Sequence, residues 1–304
     1  MEKVIVIVGP TASGKTKLSI ELAKRLNGEI VSCDSMQVYK YMDIGTAKPT
    51  KEEMSGIRHH MIDVIEPDCQ FSVAKYKSMA EKSIEEIIKR NKVPIVVGGT
   101  GLYVNSLIYN INFKDSICDL NFRDKLKKEA EKYGNQYVHE KLRDVDRESY
   151  EKLHYNDLKR VIRALEFYEF TKETITSSAK KSRGDLKYKY IVFGLKMDRE
   201  VLYSRINKRV DLMIEMGLID EVKKIRDLGY ENALTSSKAI GYKEIFSWLN
   251  GELEYQDAID KIKMESRRYA KRQITWFKKT ENINWINMND KFNDIVEEVL
   301  SIIT

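Results

Sequence analysis

Cysteine is scarce in this 304-residue chain, and its three cysteines, Cys33, Cys69 and Cys118, stand far apart. No C-x-x-C pair occurs, so neither a disulfide framework nor a zinc knuckle is indicated, and a reducing cytoplasm is the expected setting. Long apolar runs are also missing: nothing approaches the roughly 18 residues that cross a bilayer, so no membrane partner is expected. A buried-strand pattern begins at residue 4, and no secretory leader is expected ahead of it. There are no internal repeats, low-complexity tracts or flexible tail. Charge is nearly balanced, with 53 Lys and Arg against 47 Asp and Glu. An excess of +6 is too mild to name a partner by itself, so its placement matters more than its sum. Hydrophobic content of 42% and charged content of 33% describe a globular chain with ample length for a core, as one large domain or two modest ones.

The most informative stretch is 4–16. Val4, Ile5, Val6, Ile7 and Val8 are five β-branched residues in a row, the pattern of a strand buried on both faces. They run into GPTASGKT at 9–16, which fits the phosphate-loop pattern G-x-x-x-x-G-K-S/T. Gly9 and Gly14 let the backbone curl so that successive N–H groups face one anion. Lys15 adds a point charge, and the Thr16 hydroxyl suits Mg²⁺. The helix that follows has Leu18, Leu22 and Leu26 on one face, and its N-terminus favours an anion. The loop implies a diphosphate or triphosphate without saying which molecule carries it.

A second strand, 29–33, ends in Asp34 on the same rim, since chemistry in parallel sheets gathers beyond the carboxyl ends of strands. Asp34 is a candidate acid or base, or simply a turn cap. Residues 35–60 read as loop and 61–65 as a short strand. His59 and His60 would point to opposite sides of a strand, which disfavours a shared metal. A helix is expected over 73–90 and a buried strand over 92–97. That strand ends in Gly98-Gly99-Thr100-Gly101 and lacks the acid that ATP-hydrolysing phosphate-loop proteins place there. The glycines bring backbone close to a ligand, or only make a tight turn.

Residues 115–187 lack a buried-strand pattern and carry helix-like segments at 121–133, 136–143, 147–152 and 157–171. Strand character returns at 190–195, so this region reads as an all-helical insertion in an α/β fold. A helix over 199–216 puts Arg205 and Arg209 on one face. The stretch 261–279 holds eight positive charges and one negative, interleaved with Tyr269, Trp276 and Phe277. Such a helix suits phosphate contacts and base stacking, the plainer alternative being a solvated face. A last strand at 283–286 and a helix at 291–303 close the chain.

Taken in order, these blocks resemble the tRNA dimethylallyltransferase (tRNA isopentenylpyrophosphate transferase) family. The matching segments are GPTASGKT at 9–16, DSMQVY at 34–39, DIGTAKPT at 43–50, residues 59–63, GGTGLY at 98–103, NDLKRVIRALE at 156–166, residues 205–217 around RINKRVDLM, GYKE at 241–244 and AKRQITWF at 270–277. Glu265-Ser266-Arg267-Arg268 departs from the Thr-Arg-Gln that relatives often carry before the tyrosine. The resemblance implies a phosphate-loop NTPase-like parallel sheet flanked by helices, with 1–114 and 188–304 as the catalytic core and 115–187 as a tRNA-contacting insertion. It implies a cytoplasmic monomer that transfers a dimethylallyl group from dimethylallyl diphosphate to N6 of adenosine 37 in the tRNA anticodon stem-loop. Gly9, Pro10, Thr11, Ala12, Ser13, Gly14, Lys15 and Thr16 would hold the diphosphate together with Arg209 or Arg205, with Mg²⁺ on Thr16. Asp34 would be the base, and Thr100 would bond the diphosphate. The tRNA would meet Asp34, Ser35, Met36, Gln37 and Thr100, then Arg123, Lys159, Arg160, Val161, Ile162 and Arg163, and finally Lys271, Arg272 and Gln273. Arg160 and Arg163 also have a bland reading, as helix-surface ion pairs.

Overall fold

A computed structural model describes residues 1–113, 119–181 and 184–303, so Cys118 and the expected start of the insertion at 115 lie outside the described residues. The chain divides into two compact units, one of Met1–Ile108 with Lys187–Thr304 and one of Tyr109–Leu186. The first is a six-stranded parallel sheet: β1 (Lys3–Val8), β2 (Gly28–Cys33), β3 (His59–His60), β4 (Val93–Gly98), β5 (Lys189–Lys196) and β6 (Ile283–Asn287), in the order β3-β2-β4-β1-β5-β6. Apolar runs became inner strands because helices cover both faces. All six residues of β2 and five of β1 are buried.

Register sets the site. Val8 pairs with Gly98, and Gly98 pairs with Cys33. The residues that follow these strands, Gly9, Asp34 and Gly99, therefore emerge side by side on one rim. Gly98 is required by the approach of β2: a Cβ there would sit 2.0 Å from the Cys33 carbonyl oxygen.

One core lies between the sheet and the helices Lys15–Arg25 and Phe292–Ile303, around Ile5, Ile7, Leu18, Leu22, Phe193 and Val299. A second packs Val38, Tyr39 and Met42 against Val210, Val222 and Tyr242. The strand expected at 61–65 is in fact His59–His60. It ends there because Met61 and Asp63 take left-handed backbone, φ 64° and 55°, leaving only a single bridge between Tyr39 and Ile65. The region 35–60 also holds a short helix, Lys51–Met54, closed by a Thr50–Glu53 capping box.

The second unit is helical, with Leu120–Tyr133 and Leu158–Thr171 as its longest elements. Its core holds Leu126, Val138, Leu142, Val161, Ile162 and Leu165. The helix expected over 136–143 is two short ones, Asn135–Glu140 and Leu142–Val145, and Ile175–Lys181 is a helix that the periodicity did not indicate. Among the described residues no helix is long and apolar enough to cross a membrane.

Candidate active site

The rim of Gly9, Asp34 and Gly99 opens onto a cavity of about 370 Å³ within the first unit. Gly14, at φ 93°, caps the helix Lys15–Arg25, and neither a capping side chain nor a first-turn acid occupies that N-terminus. Its N–H groups are thus left for an anion. The Lys15 ammonium donates to the carbonyls of Gly9 at 3.0 Å and Pro10 at 2.7 Å. Burial, with the nearby Arg209 charge, lowers its pKa to about 7 against the opposing pull of Asp34.

That depression has a testable sign. Between about 7 and 10.5 the unfolded chain binds the Lys15 proton and the folded chain releases it. This group's contribution to stability is therefore present above 10.5 and lost as pH falls to about 7. Lys15→Met should remove that rise in stability, read by denaturant unfolding at both ends of the window. An unchanged pH dependence in the variant would refute the assignment.

Asp34 follows β2, and its Oδ1 accepts from the Met36 N–H at 2.8 Å and the Gln37 N–H at 3.3 Å. One oxygen thus does the turn-capping that the sequence allows. Oδ2 has no hydrogen bond among the described residues, and Asp34 lines the cavity. Thr100 bonds the neighbouring turn: its Oγ1 accepts from Ser35 N–H at 3.0 Å and contacts Ser35 Oγ at 3.4 Å. Arg209 lines the cavity, and burial holds its pKa below the usual guanidinium value against the field of Glu53. Arg205, four residues earlier, is exposed and does not line it. Ile206, Val210, Met213 and Ile262 give the cavity an apolar lining beside these charges.

Several residues expected at RNA are committed elsewhere. Gln37 accepts from Ser32 Oγ at 2.9 Å and donates to the carbonyls of Thr46 and Ala47, so its amide shapes the cavity wall and is not spare for a base edge. Val161 and Ile162 are core residues of the helical unit, so their side chains cannot reach RNA; Lys159 and Arg160 on that turn are exposed. Arg123 and Arg163 both bind the fully buried Glu166, Arg123 through two bonds of 2.8 Å and Arg163 at 2.6 Å. Arg160 pairs with Asp157 at 3.3 Å. Phe277 is buried and unavailable for stacking, whereas Trp276 is 39% exposed and Tyr269 lines the cavity. Lys271 and Arg272 are exposed, and Arg272 lies over the Tyr269 ring and at the cavity edge.

The glycines of the 98–101 turn have partners of their own. A Cβ at Gly99 would lie 2.0 Å from Gln273 Nε2, and one at Gly101 2.3 Å from Trp276 Cδ1. They admit the helix Tyr255–Phe277 to the rim, which explains why glycine stands where an acid would otherwise be expected. Two anchors hold the cavity wall at 43–48 and have no local signature. Glu221 accepts the N–H groups of Asp43, Ile44 and Gly45 at 2.8–3.0 Å. Lys48, nearly buried, bridges Asp43 and Asp63. Nothing in the spacing of Glu221 links it to a turn some 180 residues earlier.

The sequence profile of the IPP transferase family matches residues 37–280. The chain belongs to the IPP transferase family. It is 55% identical over 295 residues to the tRNA dimethylallyltransferase of Acetivibrio thermocellus, covering 97% of this chain and 94% of that one. The tRNA dimethylallyltransferase of Thermoanaerobacter pseudethanolicus is 53% identical over 294 residues, 96% and 93% of the two chains. The full-length tRNA isopentenylpyrophosphate transferase of Bacillus halodurans shares 47% identity with a TM-score of 0.75, covering all of this chain and 96% of that one. A eukaryotic dimethylallyltransferase acting on tRNA aligns at 32% identity and a TM-score of 0.79, over 95% of this IPP transferase and 74% of its own length.

Proposed function

We propose that this IPP transferase moves a dimethylallyl group from dimethylallyl diphosphate to N6 of adenosine 37 in tRNA and releases diphosphate. One observation carries the proposal. A phosphate loop, a carboxylate with one unpartnered oxygen and an apolar wall share a single cavity, and a basic helix forms its edge. The apolar lining suits an allyl group beside its diphosphate. The relatives described above are named as tRNA dimethylallyltransferases, which supports the transferred group and the tRNA acceptor.

In this reading N6 attacks the allylic carbon as the C–O bond breaks, and the bonding electrons pass to the diphosphate oxygen. The loop N–H groups, Lys15 and Arg209 meet that charge where it develops. An anion here also favours the charged form of Lys15, because an opposite charge beside the ammonium opposes the desolvation that lowers its pKa. Asp34 Oδ2 accepts a hydrogen bond from N6 and then its proton. Thr100, whose hydroxyl contacts Ser35, would bond the diphosphate from the turn after β4. A base reaching this rim must leave the anticodon-loop stack, which costs less from a loop than from a duplex.

The residues fit Mg²⁺ as a partner of the diphosphate. Thr16 offers one hard oxygen at the cavity, and among the described residues no cluster of three His, Cys, Asp or Glu forms a cage of its own. Bound there, Mg²⁺ would neutralise leaving-group charge, with Thr16 as its protein ligand. The reading also places the enzyme in the cytoplasm, where its tRNA is, as a monomer whose cavity is complete within one chain.

The test is transfer of radiolabel from dimethylallyl diphosphate to unmodified tRNA with Mg²⁺, beside tubes with AMP as acceptor or ATP as donor. Label on tRNA, absent when adenosine 37 is changed, is expected. Equal prenylation of AMP would make the enzyme an adenylate isopentenyltransferase, and phosphate transfer from ATP would make it a kinase. Lys271→Ala and Arg272→Ala should each weaken tRNA binding and lower the slope of log affinity against log salt by about 1. Filter binding across a salt series reads this, and an unchanged slope would return the helix to a solvated face.

A further inference from the structure

We infer that Gln273 is a positioning residue for the phosphate loop and not an RNA contact, an inference that rests on reading that loop as the diphosphate site. Gln273 lies on the helix Tyr255–Phe277 and is only 5% exposed, whereas Lys271 and Arg272 before it are exposed. Both ends of its carboxamide are engaged. Oε1 accepts from Thr11 N–H at 2.8 Å, and Nε2 donates to the Gly99 carbonyl at 3.0 Å. The Tyr269 phenol lies against the same group. One planar amide thus ties the loop after β1 to the turn after β4, bridging the rim on which Asp34 also stands.

The loop needs an outside hold. Ala12, next to Thr11, is an alanine with φ 62°, a left-handed conformation that a residue with a Cβ disfavours. The bond closing the turn within the loop, Ser13 N–H to the Pro10 carbonyl, is long at 3.3 Å. Lys15 also holds the carbonyls of Gly9 and Pro10, but its ammonium is the group that must meet phosphate. Gln273 has no such second duty. Gly99 is matched to it: the nearest atoms to a Cβ there would be Nε2 at 2.0 Å and Cδ at 3.1 Å, with the Gly9 carbonyl next at 3.4 Å. Gly99 does not need left-handed backbone, so the obstacle to a side chain at 99 is Gln273 itself.

This match supplies the test. Inorganic pyrophosphate with Mg²⁺ is titrated calorimetrically, and unmodified tRNA by filter binding, into the full chain as wild type, Gln273→Ala, Gly99→Ala and the double variant. Gln273→Ala leaves two buried backbone groups unpaired and should weaken pyrophosphate binding by about tenfold. Gly99→Ala should do the same by displacing the carboxamide. The double variant should be no worse than Gln273→Ala alone, because truncation makes room for the new methyl. Affinity for tRNA should stay within about twofold throughout.

Loss of tRNA affinity with pyrophosphate binding intact would overturn the inference in favour of RNA contact. Losses that multiply in the double variant, or that fall equally on both ligands, would overturn it in favour of a general structural role. If Gln273→Ala does not fold, Gln273→Met fills the space without the bonds and gives the same reading. Wild-type prenyl transfer is measured in parallel: its failure strikes the proposed reaction, while the pyrophosphate cycle still decides what Gln273 does.

Discussion

Asp34→Ala should cut prenyl transfer by about 10²–10⁴-fold while tRNA affinity stays within a few-fold. The two oxygens of Asp34 do different things. Oδ1 receives the Met36 and Gln37 N–H groups and so fixes the turn leading to the cavity wall. Oδ2 is the oxygen left for a proton. Alanine removes both, so Asp34→Asn is the sharper variant. Its amide oxygen still accepts the two backbone bonds, but the group has lost its basicity. If Asp34 takes the N6 proton, Asn should be nearly as inactive as Ala while the turn keeps its shape. Single-turnover transfer to saturating tRNA reads the chemical step, and near-normal rates in Asp34→Asn would return this residue to the turn-capping role alone.

The way Asp34 combines both roles shows what was legible in the sequence. Strands, phosphate loop and rim could be read because each is local. Five β-branched residues demand burial, and a loop that must curl around an anion demands glycine at fixed spacing. Pairing register then places Asp34 and Gly99 beside the loop without further information. Arg209 could not be separated from Arg205 by helical spacing, since both share a face; what divides them is burial at one end of that face. Gln37 and Gln273 are expected at the tRNA, because a sequence does not show which backbone groups a fold has left unpaired. Their partners are Thr46 and Ala47 for one and Thr11 and Gly99 for the other, and the second pair lies in segments far away in the chain. Glu221 and its turn at 43–45 escaped notice for the same reason.

Arg123 and Arg163 make the same point with charge, and here the expected effect is on stability. Glu166 is fully buried, and its carboxylate accepts from both arginines and from the Asp119 N–H at 3.0 Å. Burial raises its pKa, and the three donors outweigh that and hold it below the usual carboxylate value. Its contribution is therefore present above about 4.5 and lost as pH falls through the folded value. Glu166→Ala leaves two guanidinium groups without their shared acid and should destabilise the helical unit by about 3–5 kcal/mol. Replacing Arg123 as well should cost less than the sum of the two single changes, because the groups form one network. With two units in the chain, a single melting temperature is the wrong readout. Hydrogen exchange within the helix Leu158–Thr171 reports the affected unit directly. Glu166→Ala exchange within about 1 kcal/mol of wild type would mean that this network does not hold the helical unit together.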